Sequence, residues 1–494
     1  MKIAFRVDTS SVIGLGHLKR CISLAKALRN IGGDCLFLCS DLDFQYRSIF
    51  ASEGFAFIIF PADKNDQEDD GWQTDAQYSI QALGECMPHW VVVDHYDLDY
   101  RWHRTVKKET GCKIAVIDDL ADRDFSCDLL LDQNYDEDHQ QKYSGRLRND
   151  STCLFGPGYA LLDPLYAGAV KYDFCEEVSS IGIFMGGMDS QNMSCLAEEA
   201  IRLSGFTGPV EIVTTSGNPA LHELETRVAN SFNSKLAIDL PNLVEFFARH
   251  DLQLGAGGSA TWERCCIGAP SVLIPFVENH NIILGALEKL QIATAVPWGQ
   301  DTALLADKVF NACSDVVSRH QQHKNGMALV DGEGSNRVAI CLMRNSLRLR
   351  LATAEDCEQA FNWRNSPQVR AVSHNTQPIE WREHSIWFEQ MIAGISRRLL
   401  VAEVGKRNVG HIRLDLIEDS EEVSFYLDPK LNGLGLGSKM LAAVENHAQS
   451  GRIFGRVVED NHTSHRLFEK TGYHRSSKNR WEKRIGVRQT SHSS

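Results

Sequence analysis

Two consecutive series of alternating apolar strands and amphipathic helices constrain this chain more than any other feature. In the first series, strand patterns fall at residues 2–7, 35–39, 55–60, 90–95 and 113–118, with helical periodicity between them. The second series has strand patterns at 181–185, 210–214, 236–238, 252–254 and 272–275, and it ends in a helix over 302–320. Alternation of this kind demands parallel sheets with helices on both faces, because each crossover must return the chain to the same end of the sheet. The expected fold class is therefore α/β, with two doubly wound halves over 1–165 and 175–330. The turn-rich segment Phe155-Gly156-Pro157-Gly158-Tyr159 closes the first half. Two such halves enclose a cleft at the carboxyl ends of their strands, where ligands bind.

After residue 347 the pattern changes. Residues 347–350 alternate as a strand and 353–363 read as a helix. Strand patterns at 398–403, 408–414 and 422–427 follow at hairpin spacing, then a glycine-rich turn and a helix over 438–448. This is a separate α+β domain, expected over 347–486. The segment 330–335 before it reads as a linker or a helix-start loop, and the polar tail after Val487 reads as frayed. A chain of 494 residues exceeds one ordinary core, in agreement with several domains.

The net charge is −14 and no basic tract interrupts it, which argues against nucleic acid as a partner. An anionic ligand must then be held by local amides and single cations. No apolar run reaches membrane-span length, and the first strand is not a signal peptide, so a cytoplasmic protein with no membrane partner is expected. Fourteen cysteines are scattered without a CxxC pair, which predicts reduced thiols and no metal site.

Three segments carry candidate chemistry in the first two halves. Gly14-Leu15-Gly16-His17-Leu18-Lys19-Arg20 follows the first strand and opens a helix. A helix N-terminus disfavours an imidazolium, so His17 is expected as a neutral imidazole able to accept a proton. Met185-Gly186-Gly187-Met188-Asp189 ends another strand, where glycines admit a phosphate to the backbone. Gly255-Ala256-Gly257-Gly258-Ser259-Ala260-Thr261 ends a third, and the carboxylate of Glu263 follows in the next turn, suited to a pair of ribose hydroxyls. Asp94 and His95 end a strand at the same cleft, while Asp97-Leu98-Asp99 reads as an exposed helix start and not as a metal motif.

The segment from Gly257 to Glu263, with Gly268-Ala269-Pro270 and Pro275-Phe276, resembles the nucleotide-sugar half of GT-B glycosyltransferases. Arg6-Val7-Asp8, the Gly16-His17 turn, Asp94-His95-Tyr96, Asp118-Asp119 and Met185-Gly186-Gly187-Met188-Asp189 together resemble the UDP-sugar hydrolases of pseudaminic acid biosynthesis. These act on UDP-2,4-diacetamido-2,4,6-trideoxy-β-L-altropyranose. The resemblance implies a GT-B-like pair in which His17 deprotonates a water that attacks the anomeric carbon. It implies a UDP-sugar contacted by Arg6, Asp8, Gly16, Asp94, His95, Gly186, Gly187, Gly257, Gly258, Ser259 and Glu263, with amides in place of a metal. A glycosyltransferase using a second sugar as acceptor, and a related nonulosonate precursor as substrate, fit the same residues.

In the last domain, Asn432-Gly433-Leu434-Gly435-Leu436-Gly437 precedes a helix and follows antiparallel strands, which is not the setting of a dinucleotide fingerprint. With Asn461-His462-Thr463-Ser464 and Leu467-Phe468-Glu469-Lys470-Thr471-Gly472-Tyr473, it resembles the GNAT acyltransferases. That resemblance implies acetyl-CoA as cosubstrate, held by Leu427, Leu434, Gly435, Gly437, Ser438, Asn461 and Ser464. Phe468 stands where many relatives carry a tyrosine acid. Tyr473 is then a candidate acid, unless the thiolate leaves unassisted, and His384 is a candidate base toward the amine. Trp363-Arg364-Asn365-Ser366-Pro367 and the stretch His384 to Trp387 resemble the subgroup acetylating the 4-amino group of nucleotide-linked sugars. That acetylation would supply the substrate of the hydrolysis. A GNAT domain that binds acetyl-CoA without catalysis is the alternative.

Overall fold

The computed structural model describes all residues except 10–14, 41, 43, 62–70, 277–279, 300, 395–396 and 487–494. Gly14 and the tail after Val487 thus lie outside the described residues. The chain divides into two compact units, one of Met1–Arg29 with Asp34–Val338 and one of Asn30–Gly33 with Ala339–Ser494.

The first unit holds two parallel sheets. One contains β1 (Lys2–Val7), β2 (Asp34–Cys39), β3 (Ala56–Ile59), β4 (Trp90–Asp94), β5 (Lys113–Ile117), β6 (Leu129–Asp132) and β7 (Thr152–Phe155), in the order β3-β2-β1-β4-β5-β6-β7. All five residues of β4 are buried, as are five of six in β1. A strand covered on both faces reads as a continuous apolar run, which is why these strands were legible. The second sheet contains β8 (Ile181–Phe184), β9 (Val210–Thr214), β10 (Ser234–Ile238), β11 (Leu252–Ala256), β12 (Ser271–Ile274) and β13 (Thr294–Ala295), in the order β10-β9-β8-β11-β12-β13.

Each sheet reverses its winding once, between β1 and β4 in one and between β8 and β11 in the other. These pairs run parallel, with Val7 beside Asp94 and Phe184 beside Gly255. Crevices open at such switch points. His17 stands at the start of the helix after β1, and His95, Gly186 and Gly257 follow β4, β8 and β11, so the topology gathers the candidate residues at the two crevices.

The short strands β6, β7 and β13 escaped the sequence pattern. The expected helix over 302–320 is two helices, Thr302–Ser314 and Val316–Leu329. Asp315 accepts from the Ser318 amide (2.9 Å) and starts the second. The Arg319 guanidinium donates to the Ala312 (2.8 Å) and Cys313 (2.7 Å) carbonyls and closes the first. The fourteen cysteines are all free thiols. No helix among the described residues is long and apolar enough to cross a membrane.

The second unit is built on a mixed sheet of β14 (Arg348–Leu351), β15 (Arg397–Val404), β16 (Arg407–Ile417), β17 (Ser420–Leu427), β18 (Arg452–Arg456), β19 (His474–Ser477) and β20 (Arg480–Arg484), ordered β14-β15-β16-β17-β18-β20-β19. The first four are antiparallel neighbours. β17 and β18 run parallel and pair only at Glu421–Ile453 and Glu422–Phe454, after which they diverge. The expected strand and helix 347–363 become β14, a 3-10 turn at Ala354–Asp356 and the helix Cys357–Asn365. Segment 330–335 is a helix-start loop, since the helix Gly334–Met343 begins within it.

Candidate active sites

At the first switch point two histidines and two carboxylates cross between neighbouring strands. Asp94, at the end of β4, reaches His17 at the start of the helix Gly16–Asn30, and Asp8, just past β1, reaches His95 beyond β4. His17 Nδ1 lies 2.6 Å from Asp94 Oδ1. Arg20, one turn further along the same helix, donates Nε to Oδ2 and Nη2 to Oδ1 of Asp94, each at 2.6 Å. Burial alone would favour a protonated Asp94, but Arg20 and then His17 hold its carboxyl well below the usual range. Nδ1 has two neighbours, the ionised Asp94 that can only accept, at 2.6 Å, and Arg20 Nη2 that can only donate, at 3.1 Å; the shorter contact favours the tautomer with the proton on Nδ1 and the lone pair on Nε2. Nε2 has no hydrogen-bond partner among the described residues. Tyr96 packs edge-on to the His17 ring, centroids 4.8 Å apart, and donates its hydroxyl to Asp119 Oδ1 at 2.7 Å.

His95 is bound at both nitrogens. The Asp97 amide donates to Nδ1 (3.2 Å), which leaves the proton on Nε2 to donate to Asp8 Oδ2 (3.0 Å). His95 therefore cannot act as a base in this arrangement. Asp8 also accepts from the Ser40 amide (2.7 Å) and from Arg6 Nη1 (2.6 Å) and Nη2 (2.8 Å). Arg6 is 1% exposed and turns its Nε to Asp75 (3.1 Å). Arg6, Asp8, Asp94 and His95, expected at the sugar, are brought together at this switch point. Their polar atoms are engaged internally, and they hold the strand ends and His17 in place. Asp99 caps the helix Tyr100–Thr110 through the Arg101 amide (2.8 Å).

The second switch point carries the glycine loops. Gly186 has φ +95, a region closed to most side chains, and nothing lies within 4 Å of a Cβ added there. A Cβ at Gly187 would stand 3.9 Å from Leu15, two residues before His17, so this loop faces the His17 turn. The helix that follows offers less than its sequence promised. Asp189 accepts from the amides of Met193 (2.8 Å) and Ser194 (2.9 Å), occupying the N-terminus expected for phosphate. The other loop is open. Gly258 and Ser259 are exposed, and Ser259 makes no side-chain cap on the helix Ala260–Ile267, whose Thr261 and Trp262 amides turn back to the Gly258 (2.9 Å) and Ser259 (3.1 Å) carbonyls, so any anion here meets the amides of the loop itself. Gly257 lies close against Leu284, whose side chain would stand 2.7 Å from an added Cβ and would have to move. Glu263, one turn in, lies beside Tyr166 and near Lys19 of the His17 helix. Burial pushes its pKa up, against the pull of Lys19.

The second unit contains a cavity of about 1170 Å³. One wall is the diverging stretch of β17, residues 423 to 427, opposite Arg456, Val457 and Val458. Leu427, Gly435, Gly437, Ser438, Asn461 and Ser464 line it, as expected. Gly435 has φ 74 and stands at the N-cap of the helix Leu436–Val444 without a side-chain cap, so the first amides of the helix are open to a pyrophosphate. Gly437 permits close helix packing, since an added Cβ would lie 2.8 Å from Leu467. Asn461 Oδ1 caps the helix His462–Lys470 by accepting from the Ser464 amide at 3.0 Å, which leaves its amide group for a ligand.

Two of the expected residues stand off the cavity. Leu434 is 1% exposed, does not line the cavity, and anchors its loop by accepting from Arg344 (3.2 Å) through its carbonyl. Tyr473 is buried edge-on behind Phe468, ring centroids 5.0 Å apart, and does not line the cavity either.

His384 does line the cavity, together with His411, Arg364 and Tyr426, which the sequence reading passed over as candidates. His384 Nε2 and both ring nitrogens of His411 are buried without a partner among the described residues. Burial lowers the pKa of His384 and brings that of His411 to about 4, so both are neutral. The available signal was the polar series His411, Arg413 and Asp415 at alternate positions of one strand.

A family model for the GNAT acetyltransferase domain matches residues 346–474. A UDP-2,4-diacetamido-2,4,6-trideoxy-β-L-altropyranose hydrolase of Campylobacter jejuni is 28% identical over 289 residues, covering 57% of this chain and 94% of the relative. An uncharacterized protein of Methanocaldococcus jannaschii is 22% identical over 97% of this chain and 98% of its own, so it spans both units. Acinetobacter baumannii MurG aligns over 69% of this chain and 99% of its own with TM-score 0.50 at 11% identity, a likeness of fold. The chain therefore joins a GT-B-like pair of parallel-sheet halves, related in sequence to a UDP-sugar hydrolase, to an acetyltransferase domain of the GNAT family.

Proposed function

We propose that this chain is a bifunctional cytoplasmic enzyme of pseudaminic acid biosynthesis. Its GNAT domain transfers acetyl from acetyl-CoA to the 4-amino group of a UDP-linked amino sugar. Its GT-B-like unit hydrolyses the product, UDP-2,4-diacetamido-2,4,6-trideoxy-β-L-altropyranose, to UDP and the free sugar. The observation that carries the hydrolytic reading is the His17 imidazole, fixed by Asp94 at Nδ1 with Nε2 open at the switch point.

Nε2 takes a proton from water as the water oxygen bonds to the anomeric carbon. The bond from that carbon to the diphosphate oxygen breaks, and its electron pair leaves with UDP. Asp94, itself held in place by Arg20, steadies the imidazolium that forms. The amides at Gly186, Gly187, Gly258 and Ser259 face the departing diphosphate, and Glu263 suits the ribose hydroxyls. In the other unit acetyl-CoA supplies an activated acyl group, with its pyrophosphate on the amides after Gly435 and its arm between β17 and β18. The sugar amine adds to the thioester carbonyl, and the coenzyme leaves as a thiolate. Phe468 offers no proton, and a thiolate departs without one. His384 stands in the cavity wall as the acceptor for the amine proton.

The test supplies the 4-amino UDP-sugar with acetyl-CoA and water alone and follows the products by mass spectrometry. Free diacetamido sugar, UDP and coenzyme A are expected together. Acetylated UDP-sugar that accumulates without UDP release would overturn the hydrolysis and favour a transferase needing a sugar acceptor.

A further inference from the structure

Asp119 belongs to a motif that the reaction above does not use, yet its carboxylate is held from two sides. Tyr96, edge-on to His17, donates to Oδ1 at 2.7 Å. Asn134, just beyond β6, donates its amide to Oδ2 at 2.9 Å. Asn134 Oδ1 in turn accepts the indole N–H of Trp262 at 3.1 Å. Trp262 is 2% exposed and lies in the helix Ala260–Ile267, directly before Glu263 and after the open glycine loop. An unbroken hydrogen-bonded chain thus runs from the aromatic wall of the base to the helix suited to the nucleotide, across the two sheets of the first unit.

The chemistry of each link is specific. An indole can only donate and a carboxylate can only accept, so a residue between them needs one acceptor and one donor on the same group. An amide supplies both. Asn134 is also fixed through its backbone, where its amide donates to Asp132 (3.0 Å) and its carbonyl meets His139 Nε2 (3.1 Å). Arg20 closes a second path, since it pairs with Asp94 at 2.6 Å and stands 4.0 Å from Asp119.

We propose that Tyr96, Asp119, Asn134 and Trp262 form a positioning relay that holds the His17 base in register with the nucleotide-bearing helix. The relay rests on the reading of His17 as base and of the helix Ala260–Ile267 as the nucleotide site. Its members touch no reacting atom. They act through the His17 ring and the helix.

The test is a double-mutant cycle on the full chain with UDP-2,4-diacetamido-2,4,6-trideoxy-β-L-altropyranose, reading kcat for UDP release and UDP affinity by calorimetry. Tyr96→Phe removes the hydroxyl donor and keeps the ring, and Trp262→Phe removes the indole donor and keeps a smaller aromatic ring in the same buried place. Each is expected to lower kcat about tenfold, and the double variant also about tenfold, because both cut one chain. UDP affinity is expected to stay within about twofold of the parent. Multiplied effects near a hundredfold, silent single variants, or loss of UDP binding in Trp262→Phe would each overturn the relay. Should Trp262→Phe lose its folded signal, Asn134→Ala takes its place in the cycle. Full activity in His17→Ala would instead remove the base, and a parent chain that releases no UDP would remove the hydrolytic reading and the relay with it.

Discussion

His17 in the first unit and His411 in the second both rest against aromatic rings, with Tyr96 at 4.8 Å and Trp363 at 5.4 Å between centroids. Only His17 has a carboxylate on its ring. An imidazole with a waiting counter-charge can take a proton and hold it, and one buried without a partner resists charging. The same side chain therefore meets a carboxylate in one unit and stands without a polar partner among the described residues in the other. His95 refines the contrast. It also meets a carboxylate, but the Asp97 amide occupies the nitrogen that would have to accept.

The largest expected effect tests that refinement. His17→Ala should lower UDP release by about 10³-fold, within the range of general-base removal, while His95→Gln should cost less than about tenfold. Equal losses in the two variants would erase the distinction between them. Next comes the wiring itself. Asp94→Asn keeps the shape but no longer fixes the proton on Nδ1 and leaves buried Arg20 without its charge partner, so a fall of about 10² in kcat is expected. A wild-type rate would show that His17 needs no orienting carboxylate.

The neutral histidine makes a prediction in pH. His411 titrates at about 4 in the folded unit because of burial, opposed by Asp356 and assisted by Arg350 and His384, against 6.5 ordinarily. A pKa depressed on folding means that the unfolded chain binds the proton first. This contribution to stability is complete above about 6.5 and is lost as pH falls toward 4, by about 3 kcal/mol. Denaturant unfolding of this unit across that window should show the slope, and His411→Phe should flatten it. The smallest effect is expected at Tyr473, which lies off the cavity. Tyr473→Phe should leave coenzyme A formation within about twofold, and a large loss would restore that hydroxyl as the acid.

The strands at the switch points were legible because burial on both faces leaves continuous apolar runs, and the glycine loops were legible because turns there need residues without side chains. Partnerships were not. Asp94 lies 77 residues from His17, and Asp75 lies 69 from Arg6, so no local pattern announces either pair. Arg6 entered as a substrate contact through the resemblance alone, and only the fold shows two carboxylates beside it. Asp189 misled, since a capped helix and a phosphate-binding helix share one sequence signature. The run 302–320 read as one helix because its periodicity continues through Asp315, whose capping bonds appear only in three dimensions.

The two-pair ladder between β17 and β18 has a consequence for how the second unit holds together. Its sheet is two hydrogen-bonded stacks joined along a short seam, one of β14 to β17 and one of β18 to β20. A pantetheine arm carries amides of its own and can complete the open part of that seam as a surrogate strand. Acetyl-CoA would then act as mortar as well as cosubstrate. It would merge two zones of independent amide exchange into one and slow the exchange of the β17 residues beyond Glu422 more than that of any other strand.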